Sequence, residues 1–237
     1  HASKASPPPP SQLSKSIISR LPEIEPHTRH IERPLSSTSD GSAIVVYTCD
    51  GEFHPRLRHT PAADHAPGDV YEIKDWSGNL QGAIPQPPHT YAVVNLMNEH
   101  QLAIGETTTG GREELVDPDG LIHYWELMRL TLQRAKTARE AVEVMGRLVR
   151  ENGYRSTGES FAITDPHEAW IMEMVGAGPD PDPGSPRSGP GAFWVALRVP
   201  DGYVSAYANF GRIGTFPLDD DDECLYTPGM IDYAATR

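Results

Sequence analysis

Apolar positions along this chain follow two periods, and the two are segregated. Ala43-Ile44-Val45-Val46-Tyr47-Thr48 is a β-branched run closed by Asp50-Gly51, a turn signal, and predicts a buried strand. Residues 91–96 and 102–107 are strand-like and separated by Met97-Asn98-Glu99-His100-Gln101, a spacing that predicts a hairpin. Leu121, Trp125, Met128, Leu132 and Ala135 then recur at helical steps, and Ala141, Val142, Met145, Leu148 and Val149 repeat the pattern. Thr137 with Glu140 reads as a capping box opening the second helix, and Gly153 after Asn152 can close it in the left-handed region. The short connection predicts that the two helices pack as neighbours.

Strand periods return afterwards. Residues 160–164 and 169–175 flank Asp165-Pro166-His167-Glu168 as a second hairpin, and residues 193–199 and 203–208 flank Pro200-Asp201-Gly202 as a third. Strands, two helices, then strands excludes a doubly wound parallel sheet, which needs alternation of strand and helix, and predicts an α+β layered fold.

The remainder carries little periodicity. Residues 1–35 hold Pro7-Pro8-Pro9-Pro10, scattered Ser and Lys, and a weak Ile17, Ile18, Leu21 cluster, and read as a disordered Pro/Ser-rich tail. Residues 179–190 read as a Pro/Gly-rich surface loop inserted into the domain at 36–237. A hydrophobic content of 38% with 23 prolines and 21 glycines in 237 residues agrees with a core drawn from part of the chain. The chain starts at His1 rather than Met, and is expected to be a piece of something longer.

Charge narrows the partners. Twenty Lys and Arg against 33 Asp and Glu give a net of −13, which argues against nucleic acid or an anionic membrane surface. No stretch approaches the 18 or so apolar residues of a membrane-spanning helix. The two cysteines, Cys49 and Cys224, are too few for a disulfide framework or a four-ligand zinc site, a mild lean to the cytosol.

Familiar motifs fail on inspection. His167-Glu168 begins like a zincin helix, but Ile171 stands where the second histidine belongs, and Gly176-Ala177-Gly178 opens into prolines rather than a helix. The acid run 219–223 could hold a cation but reads better as a solvated loop, and Glu106 and Glu173, within apolar strands, are either solvated positions on an exposed face, the plainer reading, or buried acids with shifted pKa. Asn98 at a hairpin and Asp50 before Gly51 each have a plain turn reading beside any functional one.

In combination the strings are more specific. Ser39-Asp40-Gly41-Ser42 leading into Thr48-Cys49-Asp50-Gly51, Met97-Asn98-Glu99, Leu102-Ala103-Ile104-Gly105-Glu106-Thr107-Thr108, Glu168-Ala169-Trp170, Trp194-Val195-Ala196, Ala208-Asn209 and Leu225-Tyr226 occur in one order. From about Ser39 to Arg237 the chain resembles the N-terminal-nucleophile cysteine dipeptidases of the dipeptidase A type, related to secernins. The resemblance implies an αββα sandwich in which a mature N-terminal cysteine attacks the carbonyl of a dipeptide or small amide, without a metal or organic cofactor. It implies supporting roles for Asp50, which would position the terminal amine, and for Asn98 and Asn209, in the oxyanion hole and in orienting substrate or amine.

The resemblance also marks departures. The family's nucleophile lies about a dozen residues before the Asp-Gly-Ser string, which falls near Thr28, in Thr28-Arg29-His30-Ile31-Glu32-Arg33-Pro34, without a cysteine or a strand pattern. Tyr47 stands where related amidases carry a basic residue, and the family's C-terminal part is lacking. Three readings follow: a truncated or wrongly joined frame, a non-catalytic small-peptide-binding or regulatory relative, or a substitute nucleophile. Cys49 is the candidate for the last, although a small core hydrophobe is its plainer reading. Compartment and oligomeric state are not encoded in these features.

Overall fold

The computed structural model describes residues 19–20, 38–48, 57–75, 77–182 and 188–235. Short strands come first: β1 (Ser19–Arg20), β2 (His59–Thr60), β3 (Ala63–Asp64), then the pair β4 (Val70–Lys74) and β5 (Leu80–Pro85). β6 (His89–Thr90), β7 (Val93–Val94), β8 (Met97–Asn98) and β9 (Ala103–Thr108) lead to α1 (Tyr124–Leu132) and α2 (Ala138–Asn152). β10 (Gly158–Thr164), β11 (Ala169–Gly176), β12 (Ala192–Arg198), β13 (Tyr203–Val204), β14 (Cys224–Tyr226) and α3 (Met230–Ala235) complete the order. The class is α+β.

The central sheet is antiparallel, in the order β14-β12-β11-β10-β9-β8-β7-β2. Residues paired across neighbouring strands share a face. One face, carrying Ile104, Phe161, Ile163, Met172 and Met174, packs with Leu127, Leu130, Met145 and Val149 of the helices into a single apolar core. At the closest helix approach, a Cβ built on Gly146 of α2 would lie 2.5 Å from Trp194 Cζ2. Glycine lets α2 rest directly on the indole.

The helices form as their sequences dictate. Glu140 donates its backbone N–H to Thr137 Oγ1 at 3.2 Å, and its own carboxylate accepts from Lys136 N at 2.8 Å, one residue before the cap. Gly153 closes α2 at φ +75°, its N–H donating to Val149 O at 2.8 Å. Helices α1 and α2 pack together, as the short connection predicts. The turn between β10 and β11 is held by Asp165, whose Oδ1 accepts from His167 N (2.7 Å) and Glu168 N (3.0 Å). Its Oδ2 accepts from Ala138 N at 2.8 Å, so one carboxylate caps both this turn and the start of α2.

Four expectations need correction. Residues 43–48 form no ladder with any described strand, and Ile44 and Val46 are 69% and 82% exposed, so this run is an extended segment without the paired neighbour a buried strand needs. The hairpin over 91–107 is a three-strand meander, because Asn95 (φ +51°) and Gln101 (φ +64°) each turn the chain and make Met97–Asn98 a strand of its own. Residues 203–208 do not pair with β12; the β12 edge is taken by β14, and β13 pairs with β1. Glu106 is not solvated but buried. The β4–β5 pair and β14 lie outside the predicted strands. Of the predicted tail, only Ser19–Arg20 falls among the described residues, and 183–187 of the predicted loop fall outside them.

Candidate active site

On the face opposite the helices, β9 and β10 present small residues: Ala103, Gly105 and Thr107 beside Thr164, Ala162 and Ser160. Two extended segments cross this face. Tyr47 lies over Gly105, where an added Cβ would sit 3.2 Å from the Tyr47 Cβ, and its hydroxyl donates to Glu106 Oε1 at 2.7 Å. Further along, Asn209 donates its backbone N–H to Thr107 Oγ1 (3.0 Å) and its amide to Thr108 O (2.8 Å). Glu173 Oε1 then accepts from the backbone N–H groups of Arg212 and of Ile213, the latter at 3.0 Å. β9 is thus the rail on which both segments are hung.

Asn98 sits where β8 meets β9 and is 5% exposed. Its amide nitrogen donates to Leu132 O (2.8 Å) and Ala135 O (2.7 Å), the carbonyls just past α1. Its Oδ1 accepts from His100 N (3.0 Å) and Leu102 N (3.1 Å). All four hydrogen-bonding positions of the amide are occupied by backbone. Asn98 therefore ties the β8–β9 turn to the end of α1, and what it offers a ligand is the backbone it fixes.

Asn209 is exposed and adopts φ +48°, a conformation asparagine tolerates. It lies at the Thr108 end of β9 and Asn98 at the Ala103 end, separated by about 15 Å at ~3.3 Å per residue. Asp50 and Cys49 lie outside the described residues. Asn98 and Asn209 are therefore not gathered at one point, although both are fixed to one strand.

A pocket of ≈ 520 Å³ opens beside Asn98, walled by Val45 and Tyr47, by Asn95 to Glu99 and by Gly105. Its size falls in the range of small-ligand pockets. A larger cleft of ≈ 1810 Å³ adjoins it, running between the β4–β5 pair and α1, and the two share Tyr47, Leu57, Asn95 and Leu96 as walls.

Glu106 is one half of a buried carboxyl pair, and its partner, Glu159, carries no signal of its own in the sequence. Glu159 is 2% exposed on the helix-covered face, paired with Thr108 and diagonal to Glu106. Burial, then the Glu106 carboxylate, pushes its pKa up to about 8, while Thr108 Oγ1, donating to Glu159 Oε1 at 3.1 Å, works the other way. The remaining oxygen, Oε2, has no donor among the described residues, which is what a protonated carboxyl directed at Glu106 requires. Around the pair, burial followed by nearby carboxylates raises the Tyr154 and Tyr207 hydroxyls above their ordinary range. Two acids at the cross-strand diagonal of adjacent apolar strands were the available signal.

Cys224 is 1% exposed, and burial, then Asp220 and Asp221, push its thiol up to about 11. At neutral pH only about one part in 10,000 is thiolate. No group of three or more His, Cys, Asp or Glu among the described residues is arranged to hold a metal ion.

Sequence comparison places these elements in a family. The chain is 26% identical over 219 residues to a probable dipeptidase A of Streptococcus pyogenes serotype M3 (strain SSI-1), covering 83% of this chain and 43% of the relative. It is 28% identical over 214 residues to a dipeptidase of Bifidobacterium longum (strain NCC 2705), covering 76% and 37%. With a probable dipeptidase of Salmonella dublin it shares 23% over 222 residues, covering 84% and 46%. The chain thus spans less than half the length of these relatives. Residues 59–237, which include β2 to β14, the Asn98 tie, the carboxyl pair and the segment that carries Asn209, match Peptidase family C69, and the chain belongs to that family.

Proposed function

We propose that this chain is part of a dipeptidase-type amide hydrolase acting on dipeptides or similarly small amides. The observation that carries the reading is the small-ligand pocket beside Asn98, whose walls from Ala92 to Gly105 lie within the family-matched residues. The chemistry needs a cysteine thiolate and a base. In the N-terminal-nucleophile scheme the α-amine, titrating near pH 8, takes the thiol proton, the sulfur attacks the carbonyl carbon, and the protonated amine returns the proton to the leaving nitrogen; water, deprotonated by the same amine, then attacks the thioester, releasing the acid and restoring the thiol. Backbone donors at the pocket wall stabilise the oxyanion, each worth on the order of 100-fold in rate. In this scheme Asp50 positions the amine, Asn98 holds the β8–β9 backbone in place, and Asn209 anchors the crossing segment to β9.

Residues 36–237 then form part of an N-terminal-nucleophile αββα sandwich, preceded by a tail at 1–35. Helices covering one sheet face, and Ala103, Gly105 and Ala162 on the other, support that reading, since small residues let a second sheet approach closely.

A second reading, a non-catalytic small-peptide binder, is favoured by the inert, buried Cys224, which leaves Cys49 as the other thiol in the sequence. Incubating the purified chain with a dipeptide panel and quantifying released amino acids, with and without iodoacetamide and in Cys49→Ser, tests both. Thiol-dependent release is expected for the hydrolase. Dipeptide binding without release in any arm overturns it and leaves the binder.

A further inference from the structure

The cleft between the β4–β5 pair and α1 has a charge balance unlike that of the whole molecule. Its walls carry three acids, Glu72, Asp75 and Glu126, and each is already engaged. Glu72 pairs with Lys74 at 3.0 Å. Asp75 accepts from Ser77 N and Asn79 N, both at 2.9 Å, and from the side-chain amides of Asn79 and Gln81 at 3.0 and 3.2 Å. Glu126 accepts from the Tyr71 hydroxyl at 2.5 Å.

Four cations face them, Lys74 with Glu72 as its partner and three arginines. Arg58, Arg129 and Arg155 line the cleft, and none of them has a carboxylate within ion-pair distance among the described residues. Arg155 meets only a neutral amide, Gln81 Oε1, at 2.8 Å. Arg129 lies over the Tyr71 ring, 5.6 Å from its centroid, which orients the guanidinium without neutralising it. Tyr71 stays protonated, because burial and then Glu126 push its hydroxyl above the ordinary range, so it keeps donating to Glu126 and holds that acid on the ring side. In a chain of net charge −13, a cleft whose four cations, Arg58, Lys74, Arg129 and Arg155, outnumber its three acids, and which joins the pocket beside Asn98 through Tyr47, Asn95 and Leu96, is a local anion-receptive surface.

We propose that this cleft is a carboxylate-recognition subsite, in which Arg129 and Arg58 take the α-carboxylate of a short peptide whose remainder extends toward the Asn98 pocket. A guanidinium suits this ligand because its planar fork matches a carboxylate and keeps its charge at all working pH values. The inference rests on the peptide reading of the adjoining pocket, but it concerns binding and not the nucleophile.

Calorimetric titration of the whole chain with L-alanyl-L-alanine and with L-alanyl-L-alaninamide, at low ionic strength, tests it. The free acid is expected to bind about ten-fold tighter than the amide or better, and Arg129→Gln and Arg58→Gln each to remove about that advantage while leaving amide binding unchanged. Arg58 is exposed, so its variant serves if Arg129→Gln lowers the melting temperature. Equal affinity for acid and amide, wild-type affinity in both variants, or no saturable binding of either ligand overturns the subsite. Hydrolysis without discrimination between acid and amide refutes the subsite and leaves the hydrolase standing; discrimination without hydrolysis does the reverse.

Discussion

Replacing Glu159 with glutamine should change how stability depends on pH more than it changes stability itself. The wild-type carboxyl titrates at about 8 in the folded chain against 4.5 in the unfolded one, because burial and Glu106 oppose its charge. Between those values the folded state holds a proton that the unfolded state has released. Stability therefore falls as pH rises, by about 1.4 kcal/mol per unit for a full proton, and flattens above pH 8. The full window corresponds to an upper bound of roughly 5 kcal/mol, and relaxation of the protein around the charge reduces this to about 2–3 kcal/mol. Glutamine keeps the shape, donates to Glu106 from its amide, and cannot ionise. Urea unfolding at pH 5, 6, 7 and 8 should give a declining midpoint for wild type and a flatter line for E159Q, with the variant the more stable at pH 8 by about 2 kcal/mol. Parallel lines would refute the shared-proton assignment, as would a variant less stable than wild type at every pH.

Two further substitutions probe the frame that positions the pocket. Asn98→Ala removes a side chain that satisfies four backbone groups, and should cost about 3 kcal/mol or more in a urea melt; Asn98→Asp, which sets a carboxylate oxygen against two carbonyls, should recover none of it at neutral pH, and a loss below about 1 kcal/mol in either variant would remove Asn98 from its structural role. Gly146→Ala forces a methyl against the Trp194 ring and should cost about 1–3 kcal/mol, read as a lower melting temperature; an unchanged value would show that α2 is free to lift from the sheet.

What the chain's pattern discloses depends on whether the signal is local. α2 is fully legible, because its cap, its apolar stripe and its terminal glycine all lie within the helix. The β10–β11 hairpin is legible for the same reason: Asp165 organises a turn from within the turn. By contrast, Ala43 to Thr48 has an ideal strand composition, but a strand exists only by pairing, and composition does not carry its neighbour. β14 is three residues long and succeeds because it meets the β12 edge, which residues 203–208 leave unpaired. The site divides along the same line. Asn98 was visible as a polar residue at a turn, but two of its four bonds reach the end of α1, more than 30 residues away in sequence. Glu106 and Glu159 are 53 positions apart, as their numbers show, and only antiparallel register brings them together.

The double duty of Asp165 also bears on how this chain folds. Its two oxygens join the turn between β10 and β11 to the first amide of α2, so the ends of that hairpin and that helix share one carboxylate. Releasing the helix start leaves the turn with half its anchor, and opening the turn strips the helix of its N-terminal acceptor. Hairpin and helix are therefore coupled, so that opening one weakens the other, and the shared carboxylate stands beside the Asn98 end of β9, because Thr164, the residue before it, pairs with Ala103.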